Sequence, residues 1–208
     1  MKKILLFLLI LVVTLSAAYS TNYISALAGY EELGIITYSG DSISVQGTSL
    51  TLEGLHINEY TNKGFSFNAS YILPLGINLS TGGNNLGLTF TNDDIKSITE
   101  TAAIVNSSLL FFTTNPNSNF INAMGFSCLN VYEYTNSSLI SLFSATGRWE
   151  YNTGITPNLI FRAGIDYSIP LVMSLAGEEE TQVFPAIALF AVGAPLHVKP
   201  YIGLAYSL

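Results

Sequence analysis

The chain is short of charge. Only 10% of its 208 residues are Asp, Glu, Lys or Arg, against about 25% in ordinary soluble domains. Basic charge is scarcer still, with 7 Lys and Arg against 14 Asp and Glu. Phosphate contacts need clustered cations, so nucleic acid is excluded as a partner. Peripheral docking on anionic lipid through a basic face is excluded for the same reason. There is one cysteine, Cys128, which rules out an internal disulfide and a thiolate metal site. Cys128 reads as a small apolar residue.

Long apolar runs are missing as well, once the start of the chain is set aside. The longest, Val183 to Leu196, is broken by Pro185, Gly193 and Pro195. It falls short of the about 20 residues that a membrane helix needs. Yet 49% of the chain is hydrophobic. High apolarity without long runs means that apolar and polar residues are interleaved, as in transmembrane β-strands of about 10 residues. In lipid such strands have to close on themselves, because every backbone group must find an internal partner.

Three segments carry the alternation. From Phe65 to Leu79 the odd positions are apolar and the even ones hold Ser66, Asn68 and Ser70. From Phe143 to Tyr151 the odd set contains Trp149, and the even set contains Arg148 and Glu150. From Leu159 to Ile169 the odd set contains Phe161 and Ile165, and the even set contains Arg162 and Asp166. A one-residue slip would turn every charge to the lipid side, so the charges fix the register. The expectation is that Arg148, Glu150, Arg162 and Asp166 point inward and pair, with Glu53 joining from another strand. Charge in a confined interior is costly unless paired. The alternative is a pore whose charges select ions.

Gly40-Asp41, Gly82-Gly83-Asn84-Asn85, Asn92-Asp93-Asp94 and Asn152-Thr153-Gly154 are read as turns. The first strand is expected near Leu33 to Ser39, and a bulge is expected at Gly54, where the apolar parity changes. Counting runs predicts an all-β fold, an antiparallel up-and-down transmembrane β-barrel of 8 to 10 strands.

The first twenty residues read as a signal peptide. Lys2 and Lys3 precede the apolar run Ile4 to Val13, and small-residue cleavage sites fall before Tyr19 or before Thr21. The expected organisation is therefore residues 1–20 as leader and residues 21–208 as one barrel domain. Loss of Lys2 and Lys3 makes the net charge of −7 more negative still.

At the other end, Ile202, Leu204, Tyr206 and Leu208 alternate with Tyr201, Gly203, Ala205 and Ser207. This terminal pattern resembles the assembly strand of bacterial outer-membrane barrels. The resemblance implies that Tyr201, Gly203, Tyr206 and Leu208 form a barrel-assembly signal. It departs from the family at Leu208, where an aromatic is usual, and at Tyr201, where a polar residue is usual. It also implies residence in the bacterial outer membrane, with outer-membrane lipid and the barrel-assembly machinery as partners. The supply of 12 Tyr and 12 Phe suits aromatic girdles at the two interfaces.

No catalytic constellation stands out. His56 and His197 have no local serine or carboxylate, and there is no phosphate loop, His-Glu-x-x-His or nucleophile elbow. Asp93-Asp94 reads as a turn and Glu178-Glu179-Glu180 as a solvated loop. No metal and no cofactor are expected. The function expected is a non-enzymatic structural or surface-interaction role with a surface ligand left open. The alternatives are a narrow channel or carrier for small or apolar molecules, and a lipid-modifying barrel enzyme.

Overall fold

The computed structural model describes residues 20–37, 41–58, 61–81, 84–115, 117–135, 137–176, 181–185 and 193–208. Residues 1–19 of the expected leader, Gly40, Gly82-Gly83 and the Glu178-Glu179-Glu180 run lie outside these residues, while Ser20, expected as the last leader residue, opens the first strand. Eight long strands close into a ring. In chain order they are β1 (Ser20–Thr37), β2 (Ser42–Asn58), β3 (Lys63–Thr81), β5 (Ala102–Thr113), β6 (Phe120–Glu133), β7 (Ser138–Thr156), β8 (Leu159–Ala176) and β10 (Gly193–Ser207). Each pairs antiparallel with its neighbours, and β10 closes the ring by pairing with both β8 and β1. Two short strands, β4 (Asn84–Thr89) and β9 (Thr181–Pro185), extend β3 and β8 outside the ring. One helix, α1 (Asn92–Thr101), follows β4. Among the described residues no helix is long and apolar enough to cross a membrane.

Several sequence readings shift. The first strand begins at Ser20, well before Leu33. No register shift occurs at Gly54. Leu55 and Ile57 change chemistry without changing parity, because they face an apolar floor of the lumen with Leu110, Phe112 and Ala123. The turn between β7 and β8 is at 157–158, not at Asn152-Thr153-Gly154. Pro157 supplies the preset φ that such a turn uses, and Asn152 pairs with Arg162 inside the ladder. The Asn92-Asp93-Asp94 run opens α1 instead of making a turn. Thr91 and Asp94 cap it reciprocally: the Thr91 backbone N–H donates to the Asp94 carboxylate at 2.9 Å, and Asp94 N–H donates to the Thr91 hydroxyl at 3.2 Å.

The outer face is apolar. Leu50, Leu52, Met124, Phe126, Trp149 and Ile202 are each more than half exposed to the surroundings. A soluble monomer rarely shows a contiguous apolar patch beyond a few hundred Å², so this belt calls for lipid. Aromatic pairs stand near both ends of it: Phe120 on Tyr151 at 5.2 Å, and Tyr132 on Tyr134 at 5.5 Å between ring centroids. Glycine permits close approach at two points. A Cβ on Gly147 would meet the Tyr167 ring outside, and one on Gly164 would meet the Tyr201 ring inside.

The strands are longer than a bilayer requires. Crossing takes about 9–11 residues, whereas β2 has 17, β3 has 19 and β7 has 19. In the excess at the loop end, the chemistry of the faces reverses. The β2–β3 register slips between Gln46 and Gly47, which leaves Leu75 as an extra residue in β3. Its carbonyl accepts from Phe90 N–H at 2.8 Å. Beyond it, Ile77 and Leu79 share the inner face with Val45 and Ile43, while Asn78 and Ser80 turn outward with Ser44 and Ser42. Leu88 and Leu86 on β4 continue the inner apolar face. The uniform outward assignment of the odd positions therefore stops at Leu75. A mouth with a polar outside and an apolar inside stands beyond the lipid belt.

Candidate functional site

The lumen is filled in layers, counted from the end that holds Ser20 and Leu208. Lowest is the apolar floor of Leu55, Leu110, Phe112 and Ala123. Above it lies a charged layer. Alternation along β7 and β8 directs Arg148, Glu150, Arg162 and Asp166 inward, and all four are buried. Arg148 grips Asp166 with two N–H groups, Nε to Oδ1 at 2.6 Å and Nη2 to Oδ2 at 2.9 Å. Its Nη1 donates to Glu53 Oε1 on β2 at 2.5 Å. Arg162 Nη1 donates to the other Glu53 oxygen at 2.7 Å and to Ser25 Oγ on β1 at 2.6 Å. Its Nη2 donates to Glu150 Oε2 at 2.5 Å.

Glu53 thus bridges two guanidiniums across the ring, and each guanidinium reaches a second carboxylate. The planar fork of Arg suits this bidentate arrangement. Tyr201 on β10 completes the layer: its hydroxyl donates to Glu150 Oε2 at 2.5 Å, and its ring lies 5.0 Å from the Arg148 guanidinium carbon. The barrel-closing strand therefore contributes to the lumen through the residue where the terminal pattern departed from a polar one. Gly203 shares that inner face beside Leu27. Tyr206 and Leu208 are exposed on the outer side.

The next layers are hydroxylic. Lys199 Nζ donates to Thr51 Oγ1 at 2.7 Å and Ser70 Oγ at 2.6 Å. Thr146 donates to Ser127 at 2.6 Å and lies 2.9 Å from Ser168. Above them Glu31 Oε2 meets His197 Nε2 at 2.9 Å, and Lys199 Nζ stands 3.5 Å from Glu31 Oε1. His56 is elsewhere, on the outer face, against Asn22 at 3.0 Å and the Phe65 ring at 5.1 Å. Cys128 is also on the outer face and donates weakly to Asn130. Among the described residues no group of carboxylates, histidines and cysteine is arranged to hold a metal ion.

Sequence reasoning did not single out Ser25, Glu31, Thr51 and Lys199, and it named Ser70 only as a member of an alternating face. Their signal was inward parity, but parity names a face and not the strand across the ring.

No protein-family model matches the chain, and no curated protein matches it in sequence. Solved structures do. Neisserial surface protein A (NspA) superposes with a TM-score of 0.50 at 11% identity, over 90% of this chain and 97% of that one. A major outer membrane protein from Thermus thermophilus gives 0.46 at 14% identity, over 92% and 100%. The outer membrane protease OmpT from Escherichia coli gives 0.28 at 10% identity, over 91% and 96%. The likeness is one of fold and rests on the first. The chain folds as a small bacterial outer-membrane β-barrel, and its apolar belt suits that membrane.

Proposed function

We propose that this chain is a non-enzymatic structural or surface-interaction protein of the outer membrane, a sealed barrel that carries a rim beyond the lipid. The observation that carries this reading is the charged layer, in which Arg148, Arg162, Glu53, Glu150 and Asp166 span the ring through direct contacts. An eight-stranded barrel has an interior just wide enough for side chains to fill, and here they meet across it. Delivery to the membrane would use the terminal strand as signal to the barrel-assembly machinery.

The enzymatic alternative finds less support. Neither histidine is hydrogen-bonded to a serine among the described residues: His197 is held by Glu31 and His56 by Asn22. A nucleophile paired to a base is what acyl chemistry requires.

Purified protein in planar bilayers tests the sealed reading. The expected record is a silent bilayer. A steady, voltage-independent open current would replace this reading with that of a narrow channel.

A further inference from the structure

The outer wall carries a polar cluster beside the lipid belt. Lys63, Thr113 and Asn122 lie in one cross-strand row with Trp149. All four are exposed on the outer face. Asn122 stands between Phe120 and Met124 on its own strand, which are 66% and 74% exposed. Among the described residues the side chains of Lys63, Thr113 and Asn122 have no hydrogen-bond or ion-pair partner. Polar groups beside hydrocarbon are costly until something supplies a partner. Lys63 is also the single cation on this wall among the described residues, since Arg148, Arg162 and Lys199 are buried in the lumen and Lys96 is on α1.

The row borders two open hollows. The larger, about 790 Å³, has Lys63, Phe111, Thr113, Met124 and Tyr167 among its outward-facing lining residues. The smaller, about 380 Å³, has Phe120, Tyr151, Ala163 and Ile165. Asn122 and Trp149 line both, so the two meet at the Trp149 side chain. Lys63 opens β3 and Thr113 closes β5 at the end of the ring that holds Ser20 and Leu208, whereas Trp149 lies well inside β7. The hollows therefore run from the edge of the barrel into the apolar belt. A lysine near such an edge lays its stem along the apolar surface and carries its ammonium to headgroup level.

We infer that this surface holds one diacyl phospholipid of net negative charge, with its phosphate against Lys63, Thr113 and Asn122 and its chains along the two hollows beside Trp149. The ammonium, the hydroxyl and the amide N–H groups are donors, and phosphate oxygens gain most from a charged donor. A zwitterionic lipid brings its own cation to its phosphate and gains less from Lys63. The chain as a whole carries a net charge of −7, so diffuse attraction works against an anionic lipid and one placed cation has to select it. This is a single site on the wall of an integral barrel, not docking through a basic face. It does not depend on whether the charged layer seals the lumen, which conductance tests separately.

Trp149 is the single tryptophan and reports on the site. The test uses the full chain in phosphatidylcholine bilayers that hold a fixed fraction of phosphatidylglycerol, with bromine on the acyl chains of one lipid or the other. Quenching of Trp149 then reads which lipid stands beside it. The expected result is an about fivefold preference for phosphatidylglycerol over its share of the bilayer. Lys63→Gln should bring that preference to parity, and Lys63→Arg should keep it, with heat-modifiable mobility unchanged in both. Lys96→Gln, at an exposed position on α1 at the other end of the strands, should leave it unaltered. Quenching in proportion to bilayer composition in the parent chain would overturn the proposal, leaving a wall covered by unselected lipid. A preference that survives Lys63→Gln would also overturn it. Quenching by neither lipid would overturn it together with the outward register of Trp149.

Discussion

Arg162 shows what a single side chain does in this lumen. It touches Ser25, Glu53 and Glu150, which lie on three different strands. Removing one partner of a buried pair leaves an uncompensated charge and costs roughly 3–5 kcal/mol. Arg162→Ala should therefore unfold at markedly lower urea than the parent chain, followed by loss of heat-modifiable gel mobility. An unchanged midpoint would mean that water screens these charges in a wide lumen. The inward face of Arg148, Glu150, Arg162 and Asp166 was legible in the sequence, since four charges on two adjacent strands shared one parity. The partnership with Glu53 was legible only in outline. Glu53 is 95 residues from Arg148 and 109 from Arg162, and ring closure brings them together. Tyr201 was legible only as an odd residue in a terminal pattern. Its hydroxyl on Glu150 supplies a reason for it.

At the scale of elements, the terminal strand carries the largest consequence. β10 pairs with β1 on one side and β8 on the other, and Leu208 N–H reaches Asn22 O at 2.9 Å. Deleting the chain from Tyr201 onward would open both edges in a solvent that cannot satisfy them. We expect such a chain to be degraded or to aggregate before the membrane, as read by fractionation and heat-modifiability. Normal membrane insertion of the truncated chain would refute both the assembly role and the need for closure.

The helix α1 is a second element with a measurable signature. The hydroxyl and the backbone N–H of Thr91 donate to Asp94 and hold its carboxyl below the ordinary range. A depressed carboxylate contributes stability above the unfolded value, and that contribution is lost as pH falls through the folded value. An NMR titration should show Asp94 protonating below an ordinary aspartate, with α1 fraying over the same range. In Thr91→Ala the midpoint should return upward. An unshifted midpoint in the parent chain would contradict the cap. The helix is masked in the sequence because Asn92-Asp93-Asp94 carries turn chemistry, and the Thr91-Asp94 capping spacing overlaps that run. The bulge at Leu75 escaped too, because one inserted residue changes no composition. Only the register with β2 shows it.

On the scale of the whole molecule, one alternation organises everything. Where lipid surrounds the barrel, the outside is apolar and the inside polar and charged; at the mouth, the two exchange. The barrel class was legible because that alternation runs through most of the chain. The exchange at the mouth was not, because it rests on which residues pair beyond the lipid belt. Trp149 sits at the centre of this account. It is the single tryptophan of the chain, it is 67% exposed on the outer face, and it stands between the inward Arg148 and Glu150. Fluorescence of the unmodified protein in bilayers of brominated phospholipid therefore reports the register directly. Strong quenching by acyl-chain bromine, with little effect of aqueous acrylamide, is the predicted result. Quenching by acrylamide and indifference to bromine would put Trp149 in water, turn Arg148 and Glu150 outward, and contradict the barrel as described.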